Sequence, residues 1–368
     1  MEELHPSSKP SKFLQYFKVF LALLLFIFAI DLLTIGVGNI NEGIVKDFLS
    51  ATQNPFISLF IGILVTALIH SSSTVTASVV AIVASGNLTL QQAVPIVLGA
   101  NIGTTLTSTL VSLSYIMNKK EFRRAFSAGI SHDIFNILTV VLLFPLELYF
   151  GFLSNTAAHI AGWFASDNSF EGPIVYNKLF TRDLTSWVIS QLRYPLLAVA
   201  ISVVLVFLAI KFLSSSVYNS FVKNSFEDIN KVIFQKTGLG FFYGLFFTAA
   251  IQSSTVTTCL VVPLVASKKV SVRKAFPFIV GANIGTTITA VIASIYKPEA
   301  AIALALVHVL FNSVGALVFL PFAAIRKIPV GLANFMGKAS TSYRVVVFAY
   351  ILLTFFILPL VLIYLNKI

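Results

Sequence analysis

Residues 70–107 read HSSSTVTASVVAIVASGNLTLQQAVPIVLGANIGTTLT, and residues 252–289 read QSSTVTTCLVVPLVASKKVSVRKAFPFIVGANIGTTIT. The two align without a gap at a constant offset of 182 positions, and about half of the aligned residues are identical. Both carry the same GANIGTT. A duplicated Ser/Thr/Asn-rich segment in an apolar chain marks a two-fold repeated transporter with its binding site where the repeats meet.

The chain is apolar indeed. Of its 368 residues, 57% are hydrophobic and 11% charged, against roughly 25% charged in a soluble domain. So few charges cannot cover a globule, and lipid must be the solvent. Stretches 13–37, 130–153, 192–213, 300–322 and 345–365 reach the roughly 20 residues that a spanning helix needs. A net charge of +11 would suggest nucleic acid in a soluble chain. Here Lys and Arg cluster in short loops, where the positive-inside bias accounts for them, and no nucleic-acid partner is implied. Cys259 is the sole cysteine, so no intrachain disulfide exists. The first apolar run is too long for a signal peptide and lacks a small-residue cleavage site, so it reads as a mature helix.

The repeat extends beyond the opening match. Residues 132–145 (HDIFNILTVVLLFP) resemble residues 308–321 (HVLFNSVGALVFLP), now at an offset of 176. His132/His308, Phe135/Phe311, Asn136/Asn312 and Pro145/Pro321 recur in register. The expected organisation is a transmembrane repeat over 1–165, an extracytoplasmic connector over 166–190, a second transmembrane repeat over 191–340 and a C-terminal transmembrane helix over 341–368. Basic clusters then give orientation. In the first half they follow GANIGTT (Lys119, Lys120, Arg123, Arg124); in the second they follow the Ser-rich segment (Lys268, Lys269, Arg273, Lys274). If all are cytoplasmic, the halves insert upside down relative to each other. Lys9, Lys12, the stretch from Lys211 to Lys236, Arg326 and Lys327 fit that scheme. Asp167, Glu171 and Asp183 fall in the outer connector. The fold class is therefore an all-α polytopic membrane protein of two inverted-topology repeats with discontinuous, re-entrant helices.

The polar segments carry the chemistry. His70, Ser71, Ser72, Ser73 and Thr74, with Gln252, Ser253, Ser254 and Thr255, put consecutive hydroxyls and amides at membrane depth. A broken helix lets them converge and frees carbonyls for sodium and N–H groups for an anion. The alternative, a small-residue packing face, is outweighed by the duplication. In the GANIGTT copies the glycines permit close backbone approach. Asn101, Thr104, Thr105, Asn283, Thr286 and Thr287 supply further ligands. Asp133 has Val309 as its counterpart, and a lone intramembrane carboxylate is functional by default, suited to an additional cation. His132 and His308 read as structural hydrogen-bonding residues; Asn136 and Asn312 read equally as interhelical glue or site wall. Asp31, near the end of the first helix, reads as facing water or snorkelling. The stretch 331–344 reads as interfacial or re-entrant. No nucleophile, metal cluster or nucleotide loop is recognisable, so neither an enzyme nor a bound cofactor is expected.

These residues resemble the type II sodium/phosphate cotransporter family, whose signature is Gln-Ser-Ser-Ser in each inverted repeat. The segment EFRRAF at 121–126 with HDIFN at 132–136 closely resembles the first repeat of the animal members. The second signature here is Gln252-Ser253-Ser254-Thr255, which keeps the hydroxyl. The first is His70-Ser71-Ser72-Ser73, with His for Gln. The resemblance implies sodium-coupled symport of inorganic phosphate across a plasma membrane, the chain's compactness pointing to a bacterial inner membrane. Sodium ions are the coupling ions. Asp133 matches the acid tied to an extra sodium in electrogenic members, and Lys119 falls where the family has a phosphate-associated Arg. The rival expectations are transport of another oxyanion, phosphate export on the same scaffold, and, more remotely, an ion channel.

Overall fold

The computed structural model describes residues 12–40, 50–166, 181–192, 194–217, 233–295 and 297–365. Asp167, Glu171, Lys9 and most of the stretch between Lys211 and Lys236 lie outside them. The described residues form an all-α membrane protein, with seven helices long and apolar enough to span a bilayer. The first half contains α1 (Lys12–Gly38), α2 (Pro55–Ile69), α3 (Ser72–Ala84), α4 (Leu90–Gly103), α5 (Leu106–Ser112), α6 (Lys119–Phe150) and α7 (Phe152–Ser166). A short α8 (Arg182–Gln191) precedes α9 (Pro195–Val217), α10 (Thr237–Ile251), α11 (Ser254–Ala266), α12 (Val272–Thr286), α13 (Ile288–Ser294), α14 (Glu299–Phe319) and α15 (Ala323–Ser342). The last apolar run is α16 (Val345–Leu352) and α17 (Leu358–Leu365), joined by a π-helical turn at Leu353–Ile357.

The sequence offset of 182 is also a structural one. Helices α2, α3 and α5 map onto α10, α11 and α13 with both ends in register, and α4 maps onto α12 to within a residue.

Glycine sets how these short helices pack. A Cβ on Gly99 would overlap the Leu59 carbonyl oxygen, and one on Gly62 the Ile96 carbonyl. In the second half Gly281 faces the Phe241 carbonyl and Gly244 the Phe278 carbonyl in the same way. Backbone thus lies on backbone, as Gly-x-x-x-Gly faces allow in lipid. The register also gives direction. Gly99 sits against Leu59 and Ile63, and four residues on Gly103 sits against Ile63 and Ala67. Helices α2 and α4 therefore run parallel, and α3 must carry the chain back between them. Each Ser-rich motif is the tip of a helical hairpin. At 15 residues, α2 is about 22 Å long, short of the roughly 30 Å hydrocarbon core.

The halves interlock. Opening helices α1 and α9 pack along each other, α6 packs along α15, and α14 along α7. Each His-bearing helix is thus flanked by the helix that follows its counterpart. Residues 331–342, expected to be interfacial or re-entrant, form the later turns of α15, packed on α6 through Gly337 against Ser127 and Arg123.

The expectation for Asp31 is overturned. It is fully buried and pairs with Lys297 Nζ at 3.3 Å, Lys297 being equally enclosed. A cation 266 positions away in sequence makes burial tolerable, and nothing in the local pattern around Asp31 announces it.

Gly281→Ala and Gly99→Ala force parallel backbones apart, and each is expected to cost about 1–3 kcal/mol of stability through overpacking. Gly331→Ala, where an added Cβ meets nothing within 4 Å, is the control and leaves stability unchanged or slightly raised. Thermal unfolding of the purified chain checks the contrast.

Candidate functional site at the hairpin tips

The two helix breaks are built alike. His70 ends α2 in the left-handed conformation at φ 59°, ψ 26°, and Gln252 ends α10 at the same angles. Ser71 then adopts an extended conformation and caps α3, its hydroxyl accepting from the Thr74 N–H at 3.2 Å; Ser253 does so for Val256 at 3.3 Å. A left-handed non-glycine residue costs of order 1–3 kcal/mol and persists only where its surroundings hold it. Among the described residues only Lys268 otherwise has positive φ without being glycine. Two strained residues at equivalent positions mark a shared purpose.

The tips then meet. Ser73 Oγ donates to the main-chain oxygen of Gln252 at 3.2 Å, joining the first break to the second. Ser72 Oγ donates to Thr104 Oγ1 at 3.1 Å, and Thr104 Oγ1 lies 3.5 Å from Thr255 Oγ1. His70 Nδ1 pairs with Thr107 Oγ1 at 3.1 Å. A cavity of about 360 Å³ opens between the tips and α9, and His70, Ser71, Ser253, Thr255, Lys211 and Ser214 line it. It carries hydroxyls from both halves, one cation and adjoining helix ends, the donor set that an anion with accompanying sodium requires.

Below the tips lies a second polar layer. His308 Nε2 bonds Asn101 Oδ1 at 3.2 Å, and Asn312 Nδ2 donates to the same oxygen at 3.2 Å. The mirror image pairs His132 Nε2 with Asn283 Oδ1 at 2.7 Å and Asn283 Nδ2 with Asn136 Oδ1. Asn136 also reaches the Asn101 carbonyl. All six side chains are at most 2% exposed. The amide of each GANIGTT is therefore held by the histidine helix of the other half. The histidines, expected to be structural hydrogen-bonding residues, bond across helices, and the asparagines, expected to be glue or site wall, bond across helices with them. Thr105 and Thr287 turn their hydroxyls onto the carbonyls of Ile102 and Ile284, and Thr286 onto that of Ala282.

Asp133, next to His132, is fully buried. Its Oδ2 accepts from Thr109 Oγ1 at 3.1 Å and from Tyr350 at 3.0 Å, while Oδ1 makes no hydrogen bond. Tyr350 comes from the C-terminal helix, one turn ahead of the π-helical turn, which is the kind of distortion often found at functional sites. Lys119 is the first residue of α6, exposed, and does not line the cavity between the tips. Lys211 does.

The family model described as Na+/Pi-cotransporter matches residues 25–158 and 205–337, well over half of the chain. The chain belongs to that family. Among curated proteins it is similar to sodium-dependent phosphate transport protein 2A of Rattus norvegicus, at 29% identity over 419 residues covering 92% of this chain and 65% of the relative. It is also similar to protein 2B of Homo sapiens, at 28% identity over 433 residues, covering 91% and 63%. The chain thus spans under two thirds of the length of these curated relatives. No solved structure matches it.

Family membership alone does not single out two features of the site. Lys211 falls where the offset places Ala29, and Ser214 where it places Leu32; their polarity against an apolar counterpart was the available signal. Thr66 and Thr248, again 182 apart, are fully buried one turn before each helix break, their hydroxyls without a hydrogen-bond partner.

Asn101→Leu leaves His308 with no side-chain partner in a buried layer. The expected loss is about 1–3 kcal/mol, the cost of an orphaned buried polar group. Thermal unfolding checks it, with Ser78→Ala, whose buried hydroxyl has no partner to lose, as the near-neutral control.

Proposed function

We propose that this chain is a sodium-coupled symporter of inorganic phosphate in a plasma membrane, binding its cargo between the two hairpin tips. The observation that carries the reading is one cavity that takes hydroxyls from both signature motifs. The names of the curated relatives support sodium and phosphate as the pair carried. The basic loops support opposite insertion of the halves, which brings hairpins from the two faces to meet in mid-bilayer.

Each tip offers a C-terminal helix end beside an N-terminal one. Carbonyls at the first suit sodium and N–H groups at the second suit phosphate. Ser71, Ser253 and Thr255 line the cavity and offer neutral oxygens to either ion, with Ser72, Ser73 and Ser254 buried in the same helix turns behind them. Lys211 balances part of the anionic charge, the role that sequence resemblance gave to Lys119. Entry of divalent phosphate against a negative interior costs about 2.3 kcal/mol per charge per 100 mV. Two sodium ions cancel that charge and a third reverses it. Asp133 is the place for the third, because it is a buried carboxylate with one oxygen uncommitted. Transport is then electrogenic.

In liposomes an inward sodium gradient is expected to drive accumulation of radiolabelled phosphate, unaffected by excess sulfate. Ser72→Ala and Ser254→Ala nearly abolish it. Lys211→Gln raises the KM for phosphate about tenfold or more, the worth of a charge-assisted hydrogen bond, whereas Lys119→Gln changes it little. Flux without accumulation would make the chain a channel instead.

Asp133→Asn is expected to retain phosphate uptake while lowering the sodium Hill coefficient and removing the net current. Electrical recording on proteoliposomes reads both; an unchanged current rules Asp133 out as the third sodium site.

A further inference from the structure

The two halves match closely enough that a place where they differ is informative. In the first half the outer groove between α2 and α6 is closed by Phe56 and Phe144, whose rings meet edge to face with centroids 5.2 Å apart. Helix α17 also packs on α2. The equivalent positions in the second half are Gly238 and Leu320. A Cβ built on Gly238 meets nothing within 4 Å, and among the described residues no counterpart of α17 lies on α10. What remains is an open cleft of about 530 Å³ between α10, α12 and α14.

Its walls and its rim differ in chemistry. Phe241, Ile284, Leu317 and Leu320 form an apolar slot that follows α14 from Ser313 to Leu320, about 10 Å of helix. Leu317 is 69% exposed, so the slot opens to the lipid side. At its edge stands Arg326, held by one bond from Nη1 to Thr237 Oγ1 at 2.9 Å. Lys236 and Lys327 flank it, both exposed. Phe150, the counterpart of Arg326 at the offset of 176, carries no charge. Charge and cleft therefore occur together in one half and are both missing from the other.

We propose that this cleft is a binding site for an anionic glycerophospholipid, with Arg326 on the phosphodiester and an acyl chain in the slot. The guanidinium fork suits a phosphate oxygen pair, and basic pockets between membrane helices bind anionic headgroups in this manner. The apolar slot favours lipid over free phosphate, for which it offers nothing. A second copy of the chain would leave Arg326, Lys236 and Lys327 facing their own likeness.

Native mass spectrometry of the full chain, released from micelles doped with phosphatidylglycerol or phosphatidylcholine, tests the site. Phosphatidylglycerol is expected to persist as an adduct through activation that strips phosphatidylcholine. Arg326→Gln reduces that adduct about fivefold, the contribution of one basic group at an anionic surface. Gly238→Phe, which rebuilds the plug of the first half, reduces it similarly, and Lys338→Gln on a later turn of α15 does not. Should Gly238→Phe fail to fold, Arg326→Gln carries the test alone. Equal retention of the two lipids, adducts indifferent to Arg326→Gln, displacement by inorganic phosphate, or a dimer lost in Gly238→Phe would each overturn the assignment.

Discussion

A helix that stops within a bilayer leaves its last carbonyls, and one that starts there its first N–H groups, without water to receive them. The rest of this architecture answers to that constraint. Ser71 and Ser253 cap the outgoing helices from their own side chains. The carbonyl of Gln252 is received by Ser73 from the opposite half. The second break is thus satisfied in part by the first.

The same reasoning extends one layer down. Asn101 and Asn283 would be costly as isolated amides in an apolar core. Each is matched to a histidine and an asparagine from the other half. Because the partners are exchanged, the layer fixes the two halves relative to each other more firmly than it fixes either one. The parallel packing of α2 on α4 and of α10 on α12, through glycine, makes each hairpin a stiff unit. Rigid hairpins joined by a polar seam are suited to moving as bodies, and the seam is where such a movement must break and remake its bonds.

Much of this was legible in the residues. The gapless alignment of 70–107 with 252–289 located both breaks, since consecutive hydroxyls at membrane depth have no place on a lipid-facing helix. The recurrence of His-x-x-Phe-Asn marked four residues of the second polar layer as a repeated set, though neither the layer nor the choice between glue and site wall for the asparagines was readable from it. Long-range pairing was the part that local pattern could not supply. Asp31 looked like an interfacial acid because its partner Lys297 lies 266 positions away. Tyr350 could not be linked to Asp133, 217 positions earlier, for the same reason. Lys211 was hidden differently: it sat in a run of basic residues that orientation had already explained, and one sufficient explanation concealed a second.

What departs from symmetry is finally more telling than what obeys it. The inverted two-fold scaffold proposed above presents equivalent surfaces to both sides of the membrane, which suits alternating access but leaves its two ends alike. Under the proposed symport the sodium gradient and the membrane potential set the direction, and charge placed off the pseudo-axis sets how differently the two ends hold the ions. Asp133 against Val309 and Lys211 against Ala29 are such substitutions, and both stand at or beside the layers where the halves meet. Asp31 with Lys297 ties an apolar opening helix to the loop before α14 and likewise has no image in the other half. The repeat thus builds the pocket, and a handful of charges without a counterpart in the other half makes its two ends electrically different. On that reading, a chain that kept the hydroxyls and lost those charges would still have somewhere for the ions to sit, but its two ends would hold them alike and only the gradients would tell inside from outside.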